Sequence, residues 1–214
     1  MRSVVITSLA GIGIFPRQGA QDDTTLVALG RTHPVVATNG MAFWGCEIPR
    51  GLYNKLNGRQ YWLPTIDVVA FGPDDTSYFV QFTDGSMEWK GRPRELEKHL
   101  GNQSSCHVKT LALGDEGSWY CKWCDDSVAW ACIPLELHSE LDERQKTSCL
   151  PPVDCLTLGP RGEWFVRFSD GNWRCGGHPD SCIRMIANIE RRGGRIVDVL
   201  FGHNSQWLIT YDEK

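Results

Sequence analysis

Five apolar phrases, each closed by a glycine, recur along the chain: Leu26-Val27-Ala28-Leu29-Gly30, Val68-Val69-Ala70-Phe71-Gly72, Thr110-Leu111-Ala112-Leu113-Gly114, Cys155-Leu156-Thr157-Leu158-Gly159 and Asp198-Val199-Leu200-Phe201-Gly202. Their glycines stand 42, 42, 45 and 43 residues apart. After each of the last four glycines a short polar turn leads into an aromatic-headed run: Tyr78 to Phe82, Trp119 to Trp123, Trp164 to Phe168 and Trp207 to Tyr211. Alternation of period two places Tyr78, Val80 and Phe82 on one face of a strand, and Trp119, Cys121 and Trp123 on the equivalent face of the next. The opposite face opens on Phe79, Tyr120, Phe165 or Leu208 and continues with Gln81, Lys122, Arg167 or Thr210. It reads as apolar at one end only. In the first unit His33 stands where the other units carry the strand-heading aromatic.

Three of these runs pass into Asp84-Gly85, Asp125-Asp126 or Asp170-Gly171, and the first unit has Asn39-Gly40 at that point. Asp, Asn and Gly tolerate the positive φ of a tight hairpin, so a third strand is expected to follow. That strand ends near Trp44, Trp89, Trp130 and, slightly earlier, Trp173. A proline comes next, Pro49, Pro93, Pro134 or Pro179, and then apolar residues at helical spacing: Leu52 and Leu56, Leu96 and Leu100, Leu137 and Leu141, Ile183 and Ile186. Proline suits the first turn of a helix, and the spacing gives that helix one buried face.

The repeating unit is therefore three strands and a short helix, in a length typical of propeller blades. From Val199 to the end there are 16 residues, and 26 precede Val27, which together make one repeat of 42. A ring that pairs the N-terminal segment with the C-terminal strands requires such an offset, because closure hides the edges of an open array. The expectation is an all-β fold, a five-bladed propeller forming one domain over residues 1–214. Its units are about 27–68, 69–110, 111–155, 156–198, and 199–214 joined to 1–26. The stretch Val4 to Phe15 also resembles a short secretory leader, diluted by Thr7, Ser8, Gly11 and Gly13. Closure would make its start structural instead.

Composition narrows the functional classes. Nine Trp, with 22 Gly and 11 Pro, point to turns and aromatic-filled strands and away from long helices. A net charge of −4 gives no basic surface of the kind that nucleic-acid binding needs, and no apolar run is long enough for a membrane-spanning helix. Neither nucleic acid nor membrane is an expected partner. Nine cysteines at irregular spacing do not form a disulfide framework and suit reduced thiols in the cytoplasm, with secretion the alternative if residues 1–20 are a leader.

The units Gly162 to Gly171 (Gly-Glu-Trp-Phe-Val-Arg-Phe-Ser-Asp-Gly) and Ser77 to Gly85 (Ser-Tyr-Phe-Val-Gln-Phe-Thr-Asp-Gly) resemble a repeat of uncharacterised eukaryotic propeller-like regions. The architecture also resembles small lectin propellers of the tachylectin and tectonin kind. That resemblance implies carbohydrate binding, and it covers nearly the whole chain. It transfers no binding residue, because it rests on period and aromatic-Asp-Gly phrasing.

Catalytic motifs are missing. There is no nucleophile elbow, phosphate loop or zinc-helix signature. Cys175, His178 and Cys182 lie within eight residues, yet each already fills a position of the repeat, so no metal or other cofactor is expected. The expected activity is non-enzymatic binding of a protein partner, with a multivalent lectin carrying one similar site per blade as the alternative. The site is expected at the Trp-Pro turns, where an indole able to stack adjoins side chains that differ between units: Trp44, Trp89, Arg92, Trp130 and His178. The aspartates of the hairpins are read as turn residues.

Overall fold

The computed structural model describes residues 2–7, 26–29, 34–38, 41–44, 48–57, 64–74, 76–91, 93–102 and 107–213, with side chains omitted for 2–7, 26, 27, 29, 34–38, 41–44, 57 and 102. The chain is mainly β, built of small antiparallel sheets. The first contains β2 (Leu26–Leu29), β3 (Pro34–Thr38) and β4 (Met41–Trp44), and the second β5 (Ile66–Phe71), β6 (Tyr78–Phe82) and β7 (Met87–Lys90). The third holds β8 (Val108–Leu113), β9 (Trp119–Trp123) and β10 (Val128–Ala131), and the fourth β11 (Val153–Leu158), β12 (Trp164–Phe168) and β13 (Trp173–Gly176). In the fifth, β14 (Arg195–Phe201) and β15 (Trp207–Asp212) are joined by β1 (Arg2–Thr7) from the other end of the chain, in the order β1-β15-β14. Arg2 faces Asp212 and Thr7 faces Trp207 in that pairing. The rest of the leader-like stretch lies outside the described residues.

A helix follows the third strand of each of the first four sheets: α1 (Arg50–Asn57), α2 (Arg94–Asn102), α3 (Leu135–Lys146) and α4 (Asp180–Arg191). The prolines stand one residue earlier than the first turn. Pro134 and Pro179 are N-caps in extended backbone, and the carbonyls of Pro49 and Pro134 each accept the first helical bond at 2.9 Å. Leu52 and Leu56, Leu96 and Leu100, and Leu137 and Leu141 are all buried. The fourth helix departs from the expected pair: its buried face is Cys182, Ile186 and Ile189, with Ile183 only packed against it. Cys182 holds the place of Leu52, three residues after the proline.

The second, third and fourth sheets bury both faces, and the alternation decides which neighbour a residue meets. Val69, Tyr78, Val80 and Phe82 join a core with Ala28 and α1, whereas Val68, Ala70 and Phe79 join one with α2 and the third sheet's Leu111, Trp119 and Trp123. The same division continues through α3 to the fourth sheet and through α4 to the fifth. There is thus a core in each of these gaps, wedged on one side by a helix. A buried aromatic ring removes roughly 150–250 Å² from water, about 4–6 kcal/mol of transfer free energy, and the middle strands' Tyr78, Trp119, Trp164 and Trp207 are all placed this way.

The polar half of the middle strand's second face is not at the surface. Gln81 is fully buried and Lys122 nearly so. The first strands of the second to fifth sheets each carry a bulge near their start, at Asp67, Lys109, Asp154 and Val197. The bulge frees backbone groups from the ladder, and the Gln81 amide takes up those of the next sheet. Its Oε1 accepts from Val108 N–H at 2.9 Å, while Nε2 donates to the Val108 carbonyl and to Asp67 Oδ2, each at 2.9 Å. Lys122 repeats half of this by donating to the Val153 carbonyl at 2.9 Å.

Register corrects one alignment. Pro34 pairs with Leu29 as Tyr78 pairs with Phe71, so Pro34, not His33, heads the first unit's middle strand. The hairpin aspartates do act as turn residues: Asp84, Asp125 and Asp170 each accept from the backbone N–H two residues on, at 2.9 Å, and Gly85, Asp126 and Gly171 follow at φ 82°, 63° and 86°. The periodic glycines serve close approach. Gly114 has extended backbone, and a Cβ there would sit 2.9 Å from Leu158 Cβ, as one at Gly159 would sit 2.8 Å from Phe201 Cβ.

Candidate functional site

The turn between third strand and helix needs one residue in the left-handed region, and the units fill it differently: Gly91 (φ 69°), Cys132 (φ 55°) and Gly177 (φ 64°). A Cβ at 177 would come within 2.6 Å of the Gly162 carbonyl oxygen, and one at 91 would strike the Ser77 side chain. Of these three described turns, the third unit's accommodates a side chain there, the exposed Cys132.

Register places Trp44, Trp89, Trp130 and Cys175 at one equivalent position, opposite Val35, Phe79, Tyr120 and Phe165. Trp89 is 38% exposed. Trp130 is half-buried, stacked on Tyr120 at 6.4 Å with its edge to His138 at 6.3 Å. In the fourth unit the indole comes from two residues earlier: Trp173 stacks on Phe165 at 6.0 Å and donates to Glu190 Oε1 at 2.9 Å. His178 is half-buried, and its Nδ1 is enclosed without a hydrogen-bond partner. Arg92 and the Trp44 side chain lie outside the described residues. Trp89, Trp130 and His178 belong to three separate units.

Cys175 and Cys182 lie together in the apolar core beside α4. Burial raises the Cys175 thiol to about 11 and, with the neighbouring Cys175 adding to it, Cys182 to about 12. Both stay protonated at neutral pH and act as small apolar side chains.

A cavity of about 230 Å³ lies where the first strands meet: β2 lies against β5, β5 against β8, β8 against β11, β11 against β14 and β14 against β2. Ala28, Ala70 and Ala112 keep it open, and Thr157 and Leu200 occupy the same position of the last two units. One end is apolar, with Phe71, Leu113, Leu158 and Phe201 around the periodic glycines. Nearer the bulges it is polar, with Asp67, Lys109, Thr110, Cys155 and Asp198 in its wall.

Asp198 Oδ1 accepts the Val199 N–H at 2.8 Å and the Cys155 thiol at 3.5 Å. Burial raises its carboxyl to about 6, against the pull of those hydrogen bonds and of Arg167. Arg167 is itself paired with Asp154 at 2.6 Å. Burial likewise pushes the Cys155 thiol well above its ordinary value. Sequence reasoning missed this group. The available signal was the first position of the apolar phrase, which changes from Leu26 and Val68 through Thr110 and Cys155 to Asp198 while the residue after it stays apolar.

No protein-family model matches the chain, and no curated protein matches it. Among the described residues no group of His, Cys, Asp and Glu is placed to hold a metal ion, and no helix is long and apolar enough to cross a membrane.

Proposed function

We propose that the sheets are the blades of a five-bladed propeller, and that the chain is a non-enzymatic scaffold that binds a protein partner on the rim where the outer strands pass into the helices. The circuit of first strands from β2 through β14 and back to β2 supports the ring, as does β1 completing the last sheet. One domain over 1–214, with the unit boundaries read from the repeat, follows from that ring.

The binding reading is carried by where the fold leaves large apolar side chains in water. Among the described residues these are Tyr53 on α1, Trp89 on β7 and Leu135 at the start of α3, the last 80% exposed. All three lie on the outer strands or on the helices that follow them. Exposed aromatic and aliphatic anchors of this kind are the usual centre of protein–protein contacts. A lectin with one similar site per blade draws less support, because the equivalent positions hold an exposed Trp89, a stacked Trp130 and Cys175. Exposed free thiols at Cys124, Cys132 and Cys149 favour a reducing compartment such as the cytoplasm.

The test pairs affinity capture from the source cell's lysate with a glycan array. A protein retained by the wild type and lost by Trp89→Ala/Leu135→Glu, with unfolding temperature unchanged, supports the rim. Equal capture by both overturns it, and saturable glycan binding transfers the reading to the lectin.

A further inference from the structure

We propose that the cavity between the first strands binds a small organic ammonium ion, its charge held by the Asp198 carboxylate and its carbon chain by the alanines of β2, β5 and β8. The inference rests on the cavity's wall and is independent of the rim.

The space is real but small. At about 30 Å³ per water in the liquid, a volume of 230 Å³ holds roughly seven or eight waters, which limits an occupant to a comparable number of heavy atoms. The wall is about half apolar, with Ala28, Ala70, Ala112 and Leu200, and half polar, with the acids Asp67 and Asp198, so an occupant with a short hydrocarbon body and one cationic end matches it and a phosphate does not.

Charge decides the rest. Both hydrogen bonds to Asp198 go to Oδ1, and among the described residues Oδ2 has no partner. The groups facing Asp198 do not neutralise it. Cys155 is held as a neutral thiol, and Arg167 is paired with Asp154. Lys122 is committed to the Val153 carbonyl and to Asp126 at 3.1 Å, and Lys109 also leans on Asp126, at 3.5 Å. Asp67, on the same wall, is a second acid and not a counter-ion. A half-buried carboxylate whose nearest cation is already paired is costly, and its carboxyl, raised to about 6 by burial, is still mostly ionised at neutral pH. A monocation entering the cavity supplies the missing charge.

The experiment is calorimetric titration of the full chain at pH 7.5 with n-butylammonium, n-butanol and n-butyrate, which match in length and differ in charge. Butylammonium should bind saturably and at least about tenfold more tightly than the other two, as a charge-assisted hydrogen bond implies. Its affinity should fall as the pH is lowered through about 6 and Asp198 takes up a proton. Asp198→Asn keeps an oxygen for Val199 N–H and should weaken butylammonium by about tenfold or more. Equal affinity for the three probes, no saturable binding of butylammonium, or a folded Asp198→Asn variant that binds it unchanged each overturns the proposal. The charge series on the wild type decides the matter even if the variant does not fold.

Discussion

Gln81→Leu keeps a side chain of similar volume but removes the amide that bridges the second and third sheets at the bulge. The Gln81 amide closes a two-bond ring with Val108, accepting from its N–H and donating to its carbonyl at 2.9 Å each. Val108 is itself buried, so in Gln81→Leu its backbone groups lose their partners where water does not replace them. An orphaned buried group costs about 1–3 kcal/mol, so two cost about 2–6 kcal/mol, and the added apolar burial of Leu returns about 1 kcal/mol. The net expectation is a loss of about 1–5 kcal/mol in urea unfolding followed by tryptophan fluorescence. Gln81→Glu retains the acceptor, loses both donor bonds and sets a carboxylate beside Asp67, so it should be worse at pH 7 than at pH 4. Lys122→Met loses one carbonyl bond and one ion pair and should cost less than Gln81→Leu. A Gln81→Leu variant within about 0.5 kcal/mol of wild type would refute the reasoning, since that is the scatter of an unimportant surface change.

Asp198→Asn should also stabilise the free protein above pH 6. Burial raises the folded carboxyl to about 6 from its ordinary 3.8, so the folded state binds the proton more tightly and stability drains away as the pH rises between those values. The gain should reach about 2–3 kcal/mol at pH 8 and vanish below about pH 4, and a gain that does not depend on pH would count against it. Cys132→Gly relieves a side chain at φ 55° and should add about 0.5–1 kcal/mol, the left-handed penalty less the flexibility of glycine; a loss in thermal unfolding would mean that the Cys132 side chain contributes packing. Trp89→Ala should leave the unfolding temperature within a few degrees, whereas Trp130→Ala removes the ring stacked on Tyr120 and should cost about 1–3 kcal/mol. Similar losses for the two would contradict their difference in burial.

The sequence by itself determined the repeat and most of what is local to it. Period-two runs fixed which strands form, the Asp-Gly pairs fixed the hairpins, and a proline followed by leucines at helical spacing fixed the helices, because each depends on backbone preferences within a few residues. The recurring glycines were legible as markers although their reason was not: Gly114 and Gly159 are small because Leu158 and Phe201 of the following sheets come within 3 Å of where a Cβ would stand. The tertiary structure decided whatever depends on a neighbour 40 residues away. Gln81 and Lys122 look like surface residues on an alternating strand, and only the juxtaposition of a bulge from the next sheet turns them into buried bridges. Cys182 reads as a possible metal ligand until α4 turns it into the core. Asp198 reads as the polar start of a strand, and it becomes a half-buried acid because it stands in the wall of a cavity that the first strands of the other sheets share. Burial and charge pairing are properties of that assembly, which no single repeat contains.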